Sequence, residues 1–272
     1  MLVCALGDLL LDVVVRLDGS VAAGDDTPSR IRVTAGGQAA NVSAWAAALG
    51  AHARLIARRG DDGASRLAEE EVAARGVEVV GPRATSSGGV VVSMVDGDGE
   101  RSMLTDRGAS PGLRAEDVED AWLDGCNVLH ISGYVLFGEP MTGAAALAAR
   151  LARGHAARVG VDLASARGIV DAGPGRFVAL LDDLAPDVVF GGDRELAALG
   201  REPQVETLVV KHGERGVSVV TNGRREEYAA LPAAVVDPTG AGDAFAAGFL
   251  VGGVELGLQA AARCVSTAGA MP

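Results

Sequence analysis

The run Asp237-Pro238-Thr239-Gly240-Ala241-Gly242-Asp243 puts two carboxylates, a hydroxyl and two glycines just before the apolar stretch Ala244–Leu250. A glycine-rich turn that opens a helix exposes backbone N–H groups at the positive end of the helix dipole, and such a turn binds anions. A carboxylate inside an anion site needs a reason, because Asp243 repels the phosphate that the amides attract. Removing a proton from a group that attacks the phosphate is such a reason. The residue types and their spacing therefore point to phosphoryl transfer onto a hydroxyl. The bland alternative is a tight strand-to-helix turn with aspartate as a cap.

Three further clusters can complete such a site. Gly36-Gly37-Gln38-Ala39-Ala40-Asn41 combines a close-approach turn with an amide that both donates and accepts, about one helical turn further on. Gly7-Asp8-Leu9-Leu10-Leu11-Asp12 follows the first apolar run. Ligands of open α/β sheets bind beyond strand C-termini, where two carboxylates accept hydrogen bonds from vicinal hydroxyls. Asp8 reads as a loop cap and Asp12 as the better placed for ligand. Gly192-Asp193-Arg194-Glu195 offers two acids for a water-coordinated Mg²⁺, or simply first-turn acids favoured by a helix dipole. Lys211 is the only lysine, at the end of the apolar run Thr207–Val210. No G-x-x-x-x-G-K-[ST] occurs, so a P-loop is excluded.

Positioning these clusters requires strands that alternate with helices. Leu2–Leu6, Ala53–Ala57, Val77–Val80, Val128–Ile131, Val159–Val161, Val188–Phe190 and Leu208–Val210 read as short buried strands. Ala39–Leu49, Asp62–Arg75, Met141–Ala152, Arg176–Leu184 and Arg194–Leu199 read as helices. This alternation predicts a mostly parallel sheet covered on both faces, a three-layer α/β sandwich. Two stretches break the rhythm, at about 12–34 and 88–106. The second carries the turn Asp96-Gly97-Asp98-Gly99, a hairpin signal. Both are expected to form a small separate sheet inserted into one domain that spans residues 1–272.

Composition narrows the function classes. The 272 residues are 49% hydrophobic, which is ample for one large core. Net charge −12 and 3% aromatic content oppose nucleic-acid binding by phosphate contacts or base stacking. Three scattered cysteines without a C-x-x-C argue against a disulfide framework or a zinc site and favour a cytoplasmic setting. No uncharged run reaches the ~18–20 residues of a membrane span. The N-terminus, interrupted by Asp8 and Asp12, reads as a first strand rather than a signal peptide.

Asp237–Phe245 resembles the C-terminal signature of the ribokinase-like (PfkB) carbohydrate kinases, and Gly36–Asn41 resembles their N-terminal signature. The resemblance extends over nearly the whole chain, including Lys211-His212-Gly213-Glu214-Arg215-Gly216. It implies a ribokinase-like fold and ATP-dependent phosphorylation of a sugar or sugar-like hydroxyl. By position, Asp243 is implied as catalytic base, with Gly240, Ala241 and Gly242 as anion hole. Asp12, Gly37 and Asn41 are implied as sugar contacts. Lys211, Gly213, Gly216 and Thr239 are implied near the nucleotide. Glu195, with Asp193, is implied to hold Mg²⁺ through water, and Asp237 occupies a place where some members bind a monovalent cation such as K⁺. The small sheet is implied to be a lid, through which several relatives pair as homodimers.

The chain also departs from the pattern. Gly192 stands where an Asn usually begins the metal motif. Ala164 and Ala166 replace an Asn and an Arg that follow the strand ending at Asp162, with Arg167 one place late. A nucleoside kinase on the same fold would need a slot for a base, for which Tyr134, Phe137 and Trp45 are candidates. A kinase-derived regulatory protein without catalysis is a third reading. A dinucleotide-dependent oxidoreductase is disfavoured by Phe245 and by the late position of the glycine turn. Arg107, after the second inserted stretch, reads either as an exposed arginine or as a contact for an acidic or phosphorylated substrate.

Overall fold

A computed structural model describes residues 1–95 and 101–272. In chain order the first half contains β1 (Leu2–Leu6), β2 (Leu10–Leu17), β3 (Ser29–Gly36), α1 (Gln38–Ala48), β4 (His52–Ile56), α2 (Gly63–Ala73), β5 (Val77–Val80), β6 (Gly89–Val95) and β7 (Arg101–Asp106). The second half contains β8 (Val128–Ser132), α3 (Met141–Gly154), β9 (Arg158–Asp162), α4 (Ala166–Ala172), α5 (Pro174–Leu184), β10 (Val188–Gly192) and α6 (Asp193–Leu199). It ends with β11 (Thr207–Lys211), β12 (Val217–Thr221), β13 (Arg224–Tyr228), α7 (Ala241–Gly252) and α8 (Val254–Val265).

The large sheet has the order β13-β12-β11-β10-β9-β8-β1-β4-β5. Strands β11 to β5 in this order run parallel, and β12 and β13 add an antiparallel edge. Side chains alternate across the sheet, and the two faces feed separate cores. Val188 and Phe190 point to the face covered by α1, α2, α7 and α8. Val189 between them points to the opposite face, packed by α3, α4, α5 and α6. Both faces being apolar explains the unbroken Val/Leu/Ile runs of the central strands. Strand β13, Arg-Arg-Glu-Glu-Tyr, has no such run. It is exposed at the sheet edge, and its charges protect that edge from further pairing.

The stretches that break the α/β rhythm form a separate four-stranded sheet of order β3-β2-β6-β7. Strand β2 pairs antiparallel with β3 and parallel with β6, which pairs antiparallel with β7. The Asp96–Gly99 hairpin turn lies outside the described residues. Strand β2 leaves β1 after only three residues, and Gly37 alone separates β3 from α1. The small sheet is therefore tied directly to the two segments that carry Asp8, Asp12, Gly37 and Asn41. Among the described residues no helix is long and apolar enough to cross a membrane.

Candidate active site

Helix α7 begins at the turn singled out in the sequence. Gly240, at its N-cap, has φ 78°, a left-handed conformation that disfavours side chains. Its bare Cα also rests on Ala270, and a Cβ there would sit 2.6 Å from the Ala270 backbone. The C-terminal segment thus backs the turn. Asp237 shapes the other side, its Oδ1 accepting the Thr239 N–H at 3.0 Å and the Thr239 hydroxyl at 2.6 Å. Its Oδ2 accepts the Gly269 N–H at 3.1 Å.

Asp243 lies in the first turn of α7, half-buried. Its Oδ2 accepts a hydrogen bond of 2.7 Å from Asn41 Nδ2. This bond joins the two glycine signatures, 202 residues apart in sequence. Burial pushes the carboxyl up to about 7, helped by the charge of Asp162 and opposed by Asn41, Lys211 and Gln38. A carboxyl poised near neutrality matches the demand on a general base.

The sole lysine is no ordinary strand end. Lys211 Nζ lies 2.6 Å from Asp162 Oδ2, and both side chains are largely buried. Burial alone would lower the ammonium's pKa, but Asp162, with Asp243 and Glu195 further off, holds it above the usual lysine range. A Cβ on Gly242 would sit 3.3 Å from Nζ, so the cation stands beside the glycine turn. Beyond it opens a cleft of about 730 Å³ lined by Lys211, Gly213, Gly216, Pro238, Ala241 and Gly242. Its far walls are the 230–235 segment and Leu258, Ala261, Ala262 and Val265 of α8. These apolar walls carry no motif, which is why sequence reasoning missed them.

On the opposite side of Asp243 lie the small-sheet residues. The Asp12 carboxylate packs on the bare Cα of Gly36, and Gly37, at φ 99°, rests on the Asp8 backbone. Ser132 donates to Gln38 Oε1 at 2.6 Å, holding the side chain that also stabilises the Asp243 carboxylate. Arg107 is not an exposed arginine. It forms a bidentate pair with the buried Asp8, at 2.7 and 2.9 Å, and its guanidinium lies 5.9 Å from the centre of the Tyr134 ring. Asp8 is accordingly an ion-pair partner, not a loop cap. Burial raises the Tyr134 pKa, and the fields of Asp243 and Asp8 raise it further, which places the phenol in this half of the site. Trp45, a candidate for a base slot, is fully buried and donates to Ala270 O at 2.8 Å. It belongs to the core. Phe137 packs edge-on against Tyr134 at 5.5 Å.

Glu195 and Asp193 separate. Glu195 Oε2 accepts the Gly192 N–H at 2.9 Å, capping its own helix. Asp193 accepts from Arg215 at 2.7 Å and is bonded to His212 at 2.8 Å, on the surface. Of these two acids, only Glu195 acts on Lys211, alongside Asp162 and Asp243. Asp162 was overlooked as a functional group, although its place at the C-terminal end of β9 is the kind of position that binds ligand.

A family model for the pfkB family carbohydrate kinases matches residues 1–271. The chain belongs to this family. It is 34% identical over 96% of its length to an ATP-dependent ribose-1-phosphate kinase of Halopiger xanaduensis, 90% of which is covered. Among solved structures it is similar to adenosine kinase from Sinorhizobium meliloti, with a TM-score of 0.86, 27% identity and coverage of 99% of this chain and 95% of that one. A putative ribokinase II from E. coli, in complex with ATP and Mg²⁺, shares the fold at a TM-score of 0.80 and 22% identity, with 99% and 94% covered. The expected ribokinase-like α/β architecture is thus present, and the chain is a carbohydrate kinase.

Proposed function

We propose that this kinase transfers the γ-phosphoryl group of ATP to a hydroxyl of a sugar or sugar-like substrate, with Asp243 as general base. The observation that carries the reading is the position of Asp243. It lies in the first turn of α7, directly after Ala241 and Gly242, which line the 730 Å³ cleft, and it is held by Asn41 of α1. Nucleotide in the cleft, along Gly213 and Gly216, brings its terminal phosphate to the turn. Asp12, Gly37 and Asn41 orient the accepting hydroxyl toward Asp243. The amides of Gly240, Ala241 and Gly242, with Lys211, stabilise charge on the transferring group. Thr239 stiffens the turn through Asp237.

The acids present suit a water-coordinated Mg²⁺, which takes few direct protein ligands. Glu195, anchored by one oxygen on Gly192, is the residue that would hold it, and it would neutralise phosphate charge when bound. Asp193, engaged by Arg215 and His212, is the weaker candidate. The small sheet acts as a lid that shields the hydroxyl from water, and pairing of two lids is the homodimer this arrangement would use.

Release of ADP from Mg·ATP by the purified protein, measured against neutral sugars, sugar acids, ribose 1-phosphate and adenosine, tests the reading. Stimulation by at least one sugar-like compound is expected. No stimulation by any of them, together with no effect of Asp243→Asn on the basal rate, would refute it. A nucleoside-only response would favour the second reading, for which the Tyr134–Phe137 pair supplies an aromatic face.

A further inference from the structure

A second, smaller pocket of about 190 Å³ lies between β2, β3 and the Asp237 turn, lined by Arg16, Arg30, Arg32, Asp237, Ala268 and Gly269 among others. This is where the resemblance implies a monovalent cation, and the residues present do not fit one. A dehydrated K⁺ needs a shell of oxygens that replaces its water. Here three guanidinium groups, Arg16, Arg30 and Arg32, line the pocket and oppose a further cation, and the nearby oxygens already accept hydrogen bonds. Asp237 takes the N–H and hydroxyl of Thr239 and the N–H of Gly269. Val265 O takes the N–H groups of Val236 and Asp237, at 2.7 and 3.2 Å. Ala270 O takes the Trp45 indole N–H, and Thr239 O faces the Cys264 thiol at 3.3 Å. Ala268 O takes Arg32 Nη1 at 2.7 Å. A guanidinium therefore already sits on one of these carbonyls, at the exposed side of the pocket, and Arg16 and Arg30, directly opposite each other on β2 and β3, add to the positive potential.

We infer that Arg32 does the work that a monovalent cation does in some members of the family. It is a positioning residue that ties a strand of the small sheet to the segment behind the anion turn, and it makes nucleotide binding independent of monovalent cations. The chain of contacts is short. Arg32 holds Ala268, Asp237 holds Gly269, and Ala270 backs Gly240 while its carbonyl is pinned by Trp45. Three consecutive residues thus connect the small sheet, the turn and α1. The inference rests on the kinase reading, because it gives the Gly240 turn the task of binding phosphate.

The test is calorimetric titration of the whole protein with Mg·ATP, in potassium chloride and in tetramethylammonium chloride at equal ionic strength. Wild type is expected to bind equally in both salts. Arg32→Gln should bind roughly tenfold more weakly in tetramethylammonium, the loss of one charge-assisted hydrogen bond. Millimolar methylguanidinium should restore it, and Arg32→Lys should keep most of the affinity. Wild-type binding that is tenfold tighter in K⁺ would overturn the inference, as would an Arg32→Gln variant that binds like wild type. A folded Arg32→Gln variant whose weak binding methylguanidinium does not restore, with Arg32→Lys equally weak, would reduce Arg32 to a packing role and also overturn it. Wild type that binds no Mg·ATP in either salt would instead refute the kinase reading itself.

Discussion

Replacing Asn41 by Leu should move the pH dependence of the reaction more than its maximum rate. The Asn41 amide donates at 2.7 Å to Asp243 Oδ2, and only the ionised carboxylate gains fully from it. Burial pushes this carboxyl up to about 7 while Asn41 opposes the shift. A hydrogen bond to a charged group contributes about 1.5–3 kcal/mol, which corresponds to roughly 1–2 pKa units. Without it the base should titrate roughly 1–2 units higher. A general base works deprotonated, so the rate rises with pH through this midpoint. At pH 7 the deprotonated fraction should fall roughly 5- to 50-fold, and most of that loss should vanish at alkaline pH. The assay is kcat from ADP release across pH at saturating Mg·ATP and the best sugar from the panel. Asn41 is also a proposed sugar contact, so KM should rise too, and the midpoint of kcat is the decisive readout. An unchanged midpoint with a uniformly lower rate would show that Asn41 does not tune Asp243.

Asp243→Asn should lose at least ~10²-fold in kcat. Because the Asp243 carboxyl is raised in the folded state, the fold loses stability as pH rises from the unfolded aspartate range toward 7, and the amide variant escapes this. Its thermal midpoint at pH 8 should therefore equal or exceed that of wild type, and a large drop would point to a structural role instead. Lys211→Met leaves Asp162 buried and unpaired, so a stability loss of about 3–5 kcal/mol is expected in urea unfolding. Adding Asp162→Asn should recover much of that stability without restoring kcat. His130 is fully buried, neither ring nitrogen finds a partner among the described residues, and burial lowers its pKa to about 4. Unfolded chains bind the extra proton first, so wild type should lose stability as pH falls from about 6.5 toward 4. His130→Leu should flatten that part of the curve, and parallel curves for the two proteins would contradict the assignment.

Much of this molecule was legible in the residues. The parallel sheet was readable because strands buried on both faces must be continuously apolar, and helices between them end at glycines such as Gly50 and Gly76. The small sheet was readable because its strands interrupt that rhythm. The edge strand β13 was not anticipated, since an exposed edge selects charge over an apolar pattern, and neither was the buried run of β12 beside it. The turn proposed to bind phosphate was visible because the chemistry it offers is local. The roles proposed for Gly240, Gly242 and Asp243 rest on residue types and spacing that lie within a few residues of one another.

Tertiary structure alone decided what lies opposite those residues. The Asn41–Asp243 bond, the Lys211–Asp162 pair and the Arg107–Asp8 pair each join residues about 50 or more positions apart, and no local pattern encodes them. Burial decided the rest. It raised the Asp243 carboxyl to about 7, assigned Trp45 to the core and left Tyr134 partly exposed. Desolvation is a property of the assembled fold, set by which surfaces exclude water. Sequence therefore determined which groups were available and the class of reaction they suit, while packing determined their charge states and partners.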